Sequence, residues 1–171
     1  MAIARSLAKL LLITFVTCLV GCDHATKHAA QTMLAGKQPL SLVPGWLDLR
    51  YTENHDSAFS LFARAGVHGM GAWLGLAASV VLAVLLVMWF RRRHEASRLE
   101  HLGFAFSVAG ALGNIADRVI RGFVVDFIHV RYWPVFNVAD IAVVVGVALI
   151  TIASFQRPRL GEPGPSSPQT G

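Results

Sequence analysis

Four aspartates of this 171-residue chain lie at or beside the ends of long apolar segments: Asp23, Asp117, Asp126 and Asp140. A charged side chain in or near a membrane span is costly, so each carboxylate there needs a structural or chemical role. Two carboxylates at one site have a specific use, because neighbouring like charges cannot both ionise easily and one retains its proton. The ionised acid can deprotonate a water while the protonated acid polarises a peptide carbonyl.

Three of these acids are spaced so that a helix would place them beside another polar side chain. The pairs are Asp23 with Lys27, Asn114 with Asp117, and Asn137 with Asp140. The structural alternatives are an ion pair on a helix surface for the first, a buried Asp–Arg pair beside Arg118 for the second, and a favourable interaction with the helix dipole for the third. Asp126 lies in an apolar, strand-like run and has no evident structural role.

The sequence offers little support for other catalytic groups. Ser57 and Ser60 lie near His55, but serine and histidine in one loop are weak evidence for a serine nucleophile. Cys18 and Cys22 are four residues apart in the first apolar run, which indicates neither a disulfide framework nor a metal site. We therefore predict no metal and no cofactor.

The composition is typical of a membrane protein. Hydrophobic residues make up 54% of the chain and charged residues only 15%, compared with roughly 25% charged residues in soluble domains. Four apolar segments, at about 7–21, 71–90, 102–116 and 136–155, approach the length that spans a bilayer. We predict an all-α membrane protein with four transmembrane helices.

The chain between the first and second apolar segments has a different pattern. Pro39, Pro44 and Gly45 interrupt it, and residues 46–51 alternate between apolar and polar types. This pattern predicts a small periplasmic β-sheet at about 37–66, between helices 1 and 2. Residues 1–156 would then form one transmembrane domain. Residues 157–171, rich in Pro, Gly and Ser, would form a disordered cytoplasmic tail.

Basic residues cluster in short segments that flank the apolar runs: Arg5 and Lys9, Arg91–Arg93, and Arg157 and Arg159. Such flanks usually lie in the cytoplasm, so both termini are predicted to be cytoplasmic. All four acids then map to the outer ends of the spans. The net charge of +5 does not indicate a nucleic-acid partner, because no basic patch is interleaved with exposed aromatic residues.

Two alternatives belong to other classes of protein. A transporter or channel would use intramembrane carboxylates to relay ions, but it predicts acids spread across the bilayer and internal repeats, neither of which is seen. A lipoprotein is the second alternative, because Arg5, Lys9, the apolar run and Leu19-Val-Gly-Cys22 resemble its signal peptide, with the mature chain beginning at Cys22. Three further apolar segments and the motif that begins at Asp23 argue against it.

Four short motifs resemble those of the signal peptidase II (lipoprotein signal peptidase) family, over roughly residues 7–155. They are Asp23-His-Ala-Thr-Lys27, Gly113-Asn-Ile-Ala-Asp-Arg118, Gly122-Phe-Val-Val-Asp-Phe127 and Phe136-Asn-Val-Ala-Asp140. The resemblance implies an aspartic endopeptidase of the bacterial inner membrane with four transmembrane helices. Its substrates would be diacylglyceryl-prolipoproteins, cut on the N-terminal side of the lipid-modified cysteine. The expected state is a monomer among membrane lipids, with no nucleic-acid partner.

The resemblance also implies roles for individual residues. The catalytic pair falls on Asp126 and Asp140. Substrate-binding or supporting positions fall on Asp23, Lys27, Asn54, Asn114, Asp117, Arg118 and Asn137. One motif departs from the family pattern N-x-G-A-A-F, since this chain has Asn54-His-Asp-Ser-Ala-Phe59. Asp56 replaces a glycine there, and Asp is among the least costly substitutes at positive φ. The change concerns substrate binding more than the catalytic pair.

Overall fold

The computed structural model describes residues 2–55 and 71–156. In chain order its elements are α1 (Ala2–Leu34), β1 (Leu40–Val43), β2 (Leu47–Asn54), α2 (Gly71–Arg92), α3 (Arg98–Arg121), β3 (Val124–Val130) and α4 (Val138–Phe155). The four predicted apolar segments therefore form helices. The altered motif from Asp56 to Phe59, part of the predicted periplasmic segment and the predicted tail lie outside the described residues.

The first helix is longer than its apolar pattern indicates. Hydrophobic residues run to about Gly21, but α1 continues to Leu34. The extension consists mainly of residues that tolerate a helix, and no proline or glycine follows Gly21 until Gly36, which has a φ of 70°. Asp23 and Lys27 consequently lie within the helix rather than at its end.

The third and fourth helices begin at capping residues that apolar periodicity does not reveal. The Ser97 side chain accepts a hydrogen bond from the Glu100 N–H at the start of α3. Gly122 ends α3 with a φ of 81°, and its N–H donates to the Arg118 carbonyl. At the start of α4, Asn137 and Asp140 form a reciprocal capping box. These caps fix where the polar ends of both helices lie.

Glycines allow α3 and α4 to approach closely. A Cβ built on Gly103 would lie 2.8 Å from the Gly146 carbonyl oxygen, and one on Gly146 would collide with the Ser107 hydroxyl. Small residues that bring helix backbones together are typical of packing in membranes. The third helix also contacts α1 and α2, so it is central to the helical part of the molecule.

The sheet is three-stranded and antiparallel, in the order β1-β2-β3. The prediction that it lies between helices 1 and 2 is incomplete, because β3 comes from the connection between α3 and α4. In the β2–β3 register Thr52 lies opposite Asp126, and Asn54 lies opposite Val124. The strand-like run around Asp126 is therefore an edge strand of the sheet.

The burial pattern is inverted compared with that of a water-soluble domain. The largest fully buried side chains include Lys27, Glu100, Asn137 and Asp117. Large apolar side chains on α2 and α4 are exposed instead, among them Val81, Val84, Val87, Val144 and Val147. Cys18 and Cys22 are also exposed free thiols on α1. Such exposure is expected where lipid is the solvent.

Two segments, Leu10–Leu34 and Val138–Phe155, are long and apolar enough to cross a membrane, among the residues that the structure describes. The structure therefore has a mostly helical architecture with a small sheet and two candidate spans.

Candidate active site

The buried side chain of Asn137 joins Asp126 and Asp140. Its Nδ2 donates to Asp126 Oδ1 at 2.7 Å. Its backbone N–H donates to Asp140 Oδ2 at 3.1 Å, and its Oδ1 accepts from the Asp140 N–H at 3.0 Å. Asp126 comes from β3 and Asp140 from the first turn of α4. The α4 capping box therefore brings together two acids from different elements.

Each of these acids also accepts a hydrogen bond from the side-chain amide of another asparagine. Asn54 Nδ2 on β2 donates to Asp126 Oδ2 at 2.8 Å, and Asn114 Nδ2 on α3 donates to Asp140 Oδ1 at 2.8 Å. All four carboxylate oxygens thus accept an N–H from a neutral group. Within the described ranges, no Lys, Arg or His lies at ion-pairing distance from either acid.

The surroundings of Asp126 favour its protonated form. Burial raises the pKa of the Asp126 carboxyl to about 7, the hydrogen bond from Asn54 opposes that rise, and the charge of nearby Asp140 adds to it. Asp126 is only 3% exposed, whereas Asp140 and Asn114 are half-buried. An acid with such a pKa can both give and take a proton near neutral pH.

A second cluster of charges lies beside this site. Lys27 Nζ is 2.7 Å from Asp23 Oδ2 and 2.9 Å from Asp117 Oδ2, and Arg121 Nη1 is 2.7 Å from Asp117 Oδ1. Asp23, Lys27 and Asp117 are each at most 2% exposed. The interpretation of Asp23 and Lys27 as a surface ion pair is therefore wrong, since both are buried against α3 and α4.

The charged cluster accepts hydrogen bonds from the backbone next to each of the other two acids. Asp117 Oδ2 accepts the Val125 N–H at 3.3 Å, immediately before Asp126. Asp23 Oδ1 accepts the Ala139 N–H at 2.9 Å, immediately before Asp140. Gly113 leaves room for this contact, because a Cβ there would lie 2.6 Å from Asp23 Oδ2.

Lys27 also connects the two clusters through an amide. Its Nζ donates to Asn114 Oδ1 at 2.9 Å, and Asn137 Nδ2 donates to the same oxygen at 3.1 Å. Because that oxygen accepts both bonds, the Asn114 Nδ2 is the group directed at Asp140. The orientation of the Asn114 amide is therefore determined by Lys27 and Asn137 together.

The buried Asp–Arg pair expected at the end of α3 forms with a different arginine. Arg121 pairs with Asp117, whereas Arg118 Nη1 donates to the Asn114 carbonyl at 3.3 Å. Adjacent residues on a helix do not face each other, while residues four apart do. Sequence reasoning missed Arg121, although its spacing of four from Asp117 was a usable signal.

Five of the nine residues singled out in the sequence are thus linked by polar contacts to at least two others of the set, and two more contact one other member, Lys27. Of this set, and among the described residues, the Asn54 side chain contacts only Asp126 and that of Arg118 only the Asn114 carbonyl. No three His, Cys, Asp or Glu side chains are grouped as a metal site within residues 2–55 and 71–156. The geometry is suited to proton transfer between a bound water and two carboxyl groups.

The fold is similar to that of two solved bacterial membrane enzymes, both obtained by the in meso method. One superposes with a TM-score of 0.72 and 27% identity, over 86% of this chain and 94% of that one. The other has a TM-score of 0.69 and 25% identity, over 85% and 88% of the two chains. The protein therefore belongs to the class of bacterial membrane enzymes.

Sequence comparison identifies the family. The signal peptidase (SPase) II family model matches residues 15–156. The lipoprotein signal peptidase of Serratia proteamaculans is 41% identical over 142 residues, 80% of this chain and 81% of that protein. That of Pseudomonas syringae pv. tomato is 32% identical over 162 residues, 92% of each. The chain belongs to the signal peptidase II family, a family of proteases, and the resemblance carried by the four motifs is confirmed.

Proposed function

We propose that the protein is an aspartic endopeptidase that removes signal peptides from diacylglyceryl-prolipoproteins. It cuts on the N-terminal side of the lipid-modified cysteine. The proposal is supported by membership of the signal peptidase II family. The observation that carries it is the amide-linked pair of Asp126 and Asp140, joined by Asn137.

In the proposed mechanism the pair carries one proton and holds the attacking water. The ionised carboxylate takes a proton from the water as its oxygen bonds to the scissile carbonyl carbon. The other carboxyl donates its proton to the carbonyl oxygen, which gives a tetrahedral intermediate. The C–N bond then breaks as the leaving nitrogen of the cysteine is protonated by the pair. Asn54, Asn114 and Asn137 keep the four carboxylate oxygens oriented throughout.

The membrane arrangement belongs to the same proposal. All four helices cross the inner membrane, both termini are cytoplasmic, and residues 1–156 form one domain that acts as a monomer among membrane lipids. The charged flanks at Arg91–Arg93 and Arg157 support this orientation. Reporter fusions after Arg93 and near Lys37 test it, with cytoplasmic and periplasmic readings expected respectively. A periplasmic reading after Arg93 would contradict it.

The orientation explains why the substrate must carry lipid. The acids lie where α4 begins and α3 ends, which in this topology is the outer boundary of the bilayer. A diacylglyceryl group held in the outer leaflet would anchor the adjacent peptide bond at the same level. Anchoring of this kind replaces a bimolecular encounter by a local one, which raises the effective concentration of the bond.

The test is cleavage by purified protein in detergent. The substrate is a prolipoprotein whose cysteine carries diacylglycerol, and the control is the same precursor without the lipid. We expect release of the signal peptide only from the lipidated precursor, with the new N-terminus at the modified cysteine by mass spectrometry. Equal cleavage of both precursors would contradict the proposed specificity, and cleavage of neither would contradict the proposed activity.

A further inference from the structure

One end of the sheet presents three large aromatic side chains to the outside. Trp46 precedes β2, and Tyr132 and Trp133 follow β3. Their exposed fractions are 59%, 84% and 57%. The Arg131 N–H donates to the Trp46 carbonyl at 2.9 Å, so the two turns are joined. These four residues are called here the aromatic end of the sheet.

Tyr132 combines a strained backbone conformation with an exposed ring. Its φ is 66°, a region that bulky L-residues rarely adopt. The surrounding turn is closed by the Trp133 N–H, which donates to the Val130 carbonyl at 2.9 Å. The backbone strain and the exposure of the aromatic ring to solvent are both unfavourable. Backbone strain of this kind is concentrated at functional positions.

The Arg131 guanidinium lies near the faces of two of these rings. It lies 4.7 Å from the Tyr132 ring centroid and 5.7 Å from that of Trp46. In the part of the chain that the structure describes, no carboxylate lies at ion-pairing distance from it. Aromatic faces orient a guanidinium and leave its N–H groups free for an anion, and a phosphate matches their geometry.

The aromatic end is tied to the start of a candidate membrane span. The helix α4 begins at Val138, five residues after Trp133. Because five extended residues span at most ~17 Å, Trp133 lies within that distance of the start of α4. Phe136 bridges back to Ile128, so the connection runs along the sheet. The neighbouring edge strand β1 is exposed and carries Leu40, Leu42 and Val43. Such an edge is an aggregation hazard in water, but aromatic and apolar groups are stable at a membrane interface.

We propose that the aromatic end lies in the headgroup layer of the membrane and binds the phosphodiester of an anionic phospholipid. Arg131 pairs with the phosphate, while Trp46, Tyr132 and Trp133 occupy the interface. The sheet then lies along the membrane surface, which holds Asp126 near the level of the lipid headgroups. This requires α4 to enter the membrane, but it does not require the protein to be a peptidase.

The test is native mass spectrometry of the delipidated full-length protein with equal amounts of phosphatidylglycerol and phosphatidylcholine. We expect the wild type to retain phosphatidylglycerol preferentially. Arg131→Gln should weaken that binding about fivefold, since one basic residue at a membrane surface contributes about that much. Arg131→Lys should retain most of it, and Trp46→Ala should weaken binding of both lipids. The matched control is Arg98→Gln, an exposed arginine at the other end of α3, which should bind like the wild type.

Four results would overturn the proposal. Unchanged phosphatidylglycerol binding by Arg131→Gln, or an equal loss in Arg98→Gln, would show that the arginine is not a lipid site. If Arg131→Gln binds lipid normally but has a higher KM for the precursor in phospholipid-free detergent, the surface would bind the peptide substrate instead. If the wild type is a dimer and Trp46→Ala is a monomer, the aromatic end would bind a second copy of the chain instead. Lipid binding is measured without turnover, so failure here is distinct from failure of the proposed peptidase activity.

Discussion

Two pairs of aspartates lie side by side in this protein and are held in opposite ways. Asp23 and Asp117 contact the cations of Lys27 and Arg121. Among the residues that the structure describes, Asp126 and Asp140 accept hydrogen bonds only from amide groups. A buried carboxylate beside a cation is stabilised as an ion, whereas burial without such a cation favours the protonated form, an effect that N–H donors oppose only in part. Four identical aspartate side chains are thereby suited to two different roles, because their neighbours differ.

The contrast extends to what each pair does for its surroundings. The cation-paired acids bind backbone N–H groups next to the other pair, at Val125 and Ala139. Within the described ranges, the carboxylates of the amide-held acids accept hydrogen bonds from asparagine residues alone, and Asp140 remains half-buried. The first pair therefore builds the site, and the second remains available for chemistry. This division between building and reacting acids leads to distinct predictions for each.

The largest effect is expected on catalysis when either amide-held acid is neutralised. Asp126→Asn and Asp140→Asn should each lower cleavage at least about a hundredfold, because neither acid alone can both activate water and donate a proton. Both variants should remain folded, as judged by melting curves in detergent. Glu95→Gln, at an exposed carboxylate in the α2–α3 connection, serves as the control and should cleave normally. Activity above a few per cent in either aspartate variant would contradict the proposed pair.

The next largest effect is expected on stability when the charged cluster is broken. Asp117→Asn removes the carboxylate that contacts Arg121 and one of the two that contact buried Lys27, and breaking a buried ion pair typically costs about 3–5 kcal/mol. The melting temperature should fall clearly, and activity should be lost partly through misfolding. Arg121→Lys preserves the charge and should recover most of the stability relative to Arg121→Met. If Asp126→Asn unfolds the protein while Asp117→Asn is stable but inactive, the two roles are assigned the wrong way round.

Local spacing in the sequence was enough to predict the helical part of the site. The pairs Asn114–Asp117 and Asn137–Asp140 depend on helix geometry and capping, which act over three or four residues. Burial of Asp23 and Lys27 was not predictable in this way, because the same spacing fits an exposed ion pair. Their burial depends on Gly113 and on the approach of α4.

The sheet shows the other limit of reasoning from local patterns. Residues 46–51 alternate clearly, and the run around Asp126 is strand-like, but nothing local indicates that the two strands pair across the intervening chain from 55 to 123. That pairing brings Asn54 to Asp126, with a separation of 72 residues. Partner choice between distant strands is decided by the packed structure, in which β3 returns from the end of α3.

The smallest effect is a difference in the pH dependence of stability. Burial raises the pKa of Asp126 from 3.8 to about 7, so between these values the folded state binds more protons than the unfolded state. Stability contributed by this group is fully present below about 3.8 and is lost as pH rises towards 7. Asp126→Asn removes this dependence, so it should become more stable than the wild type as pH rises, by on the order of 1–3 kcal/mol near pH 8. Melting temperatures of both proteins across that range test the prediction, with Glu95→Gln expected to follow the wild type. A variant that loses its advantage as pH rises would show that Asp126 is stabilised as an ion, which would place it with Asp23 and Asp117 among the building acids.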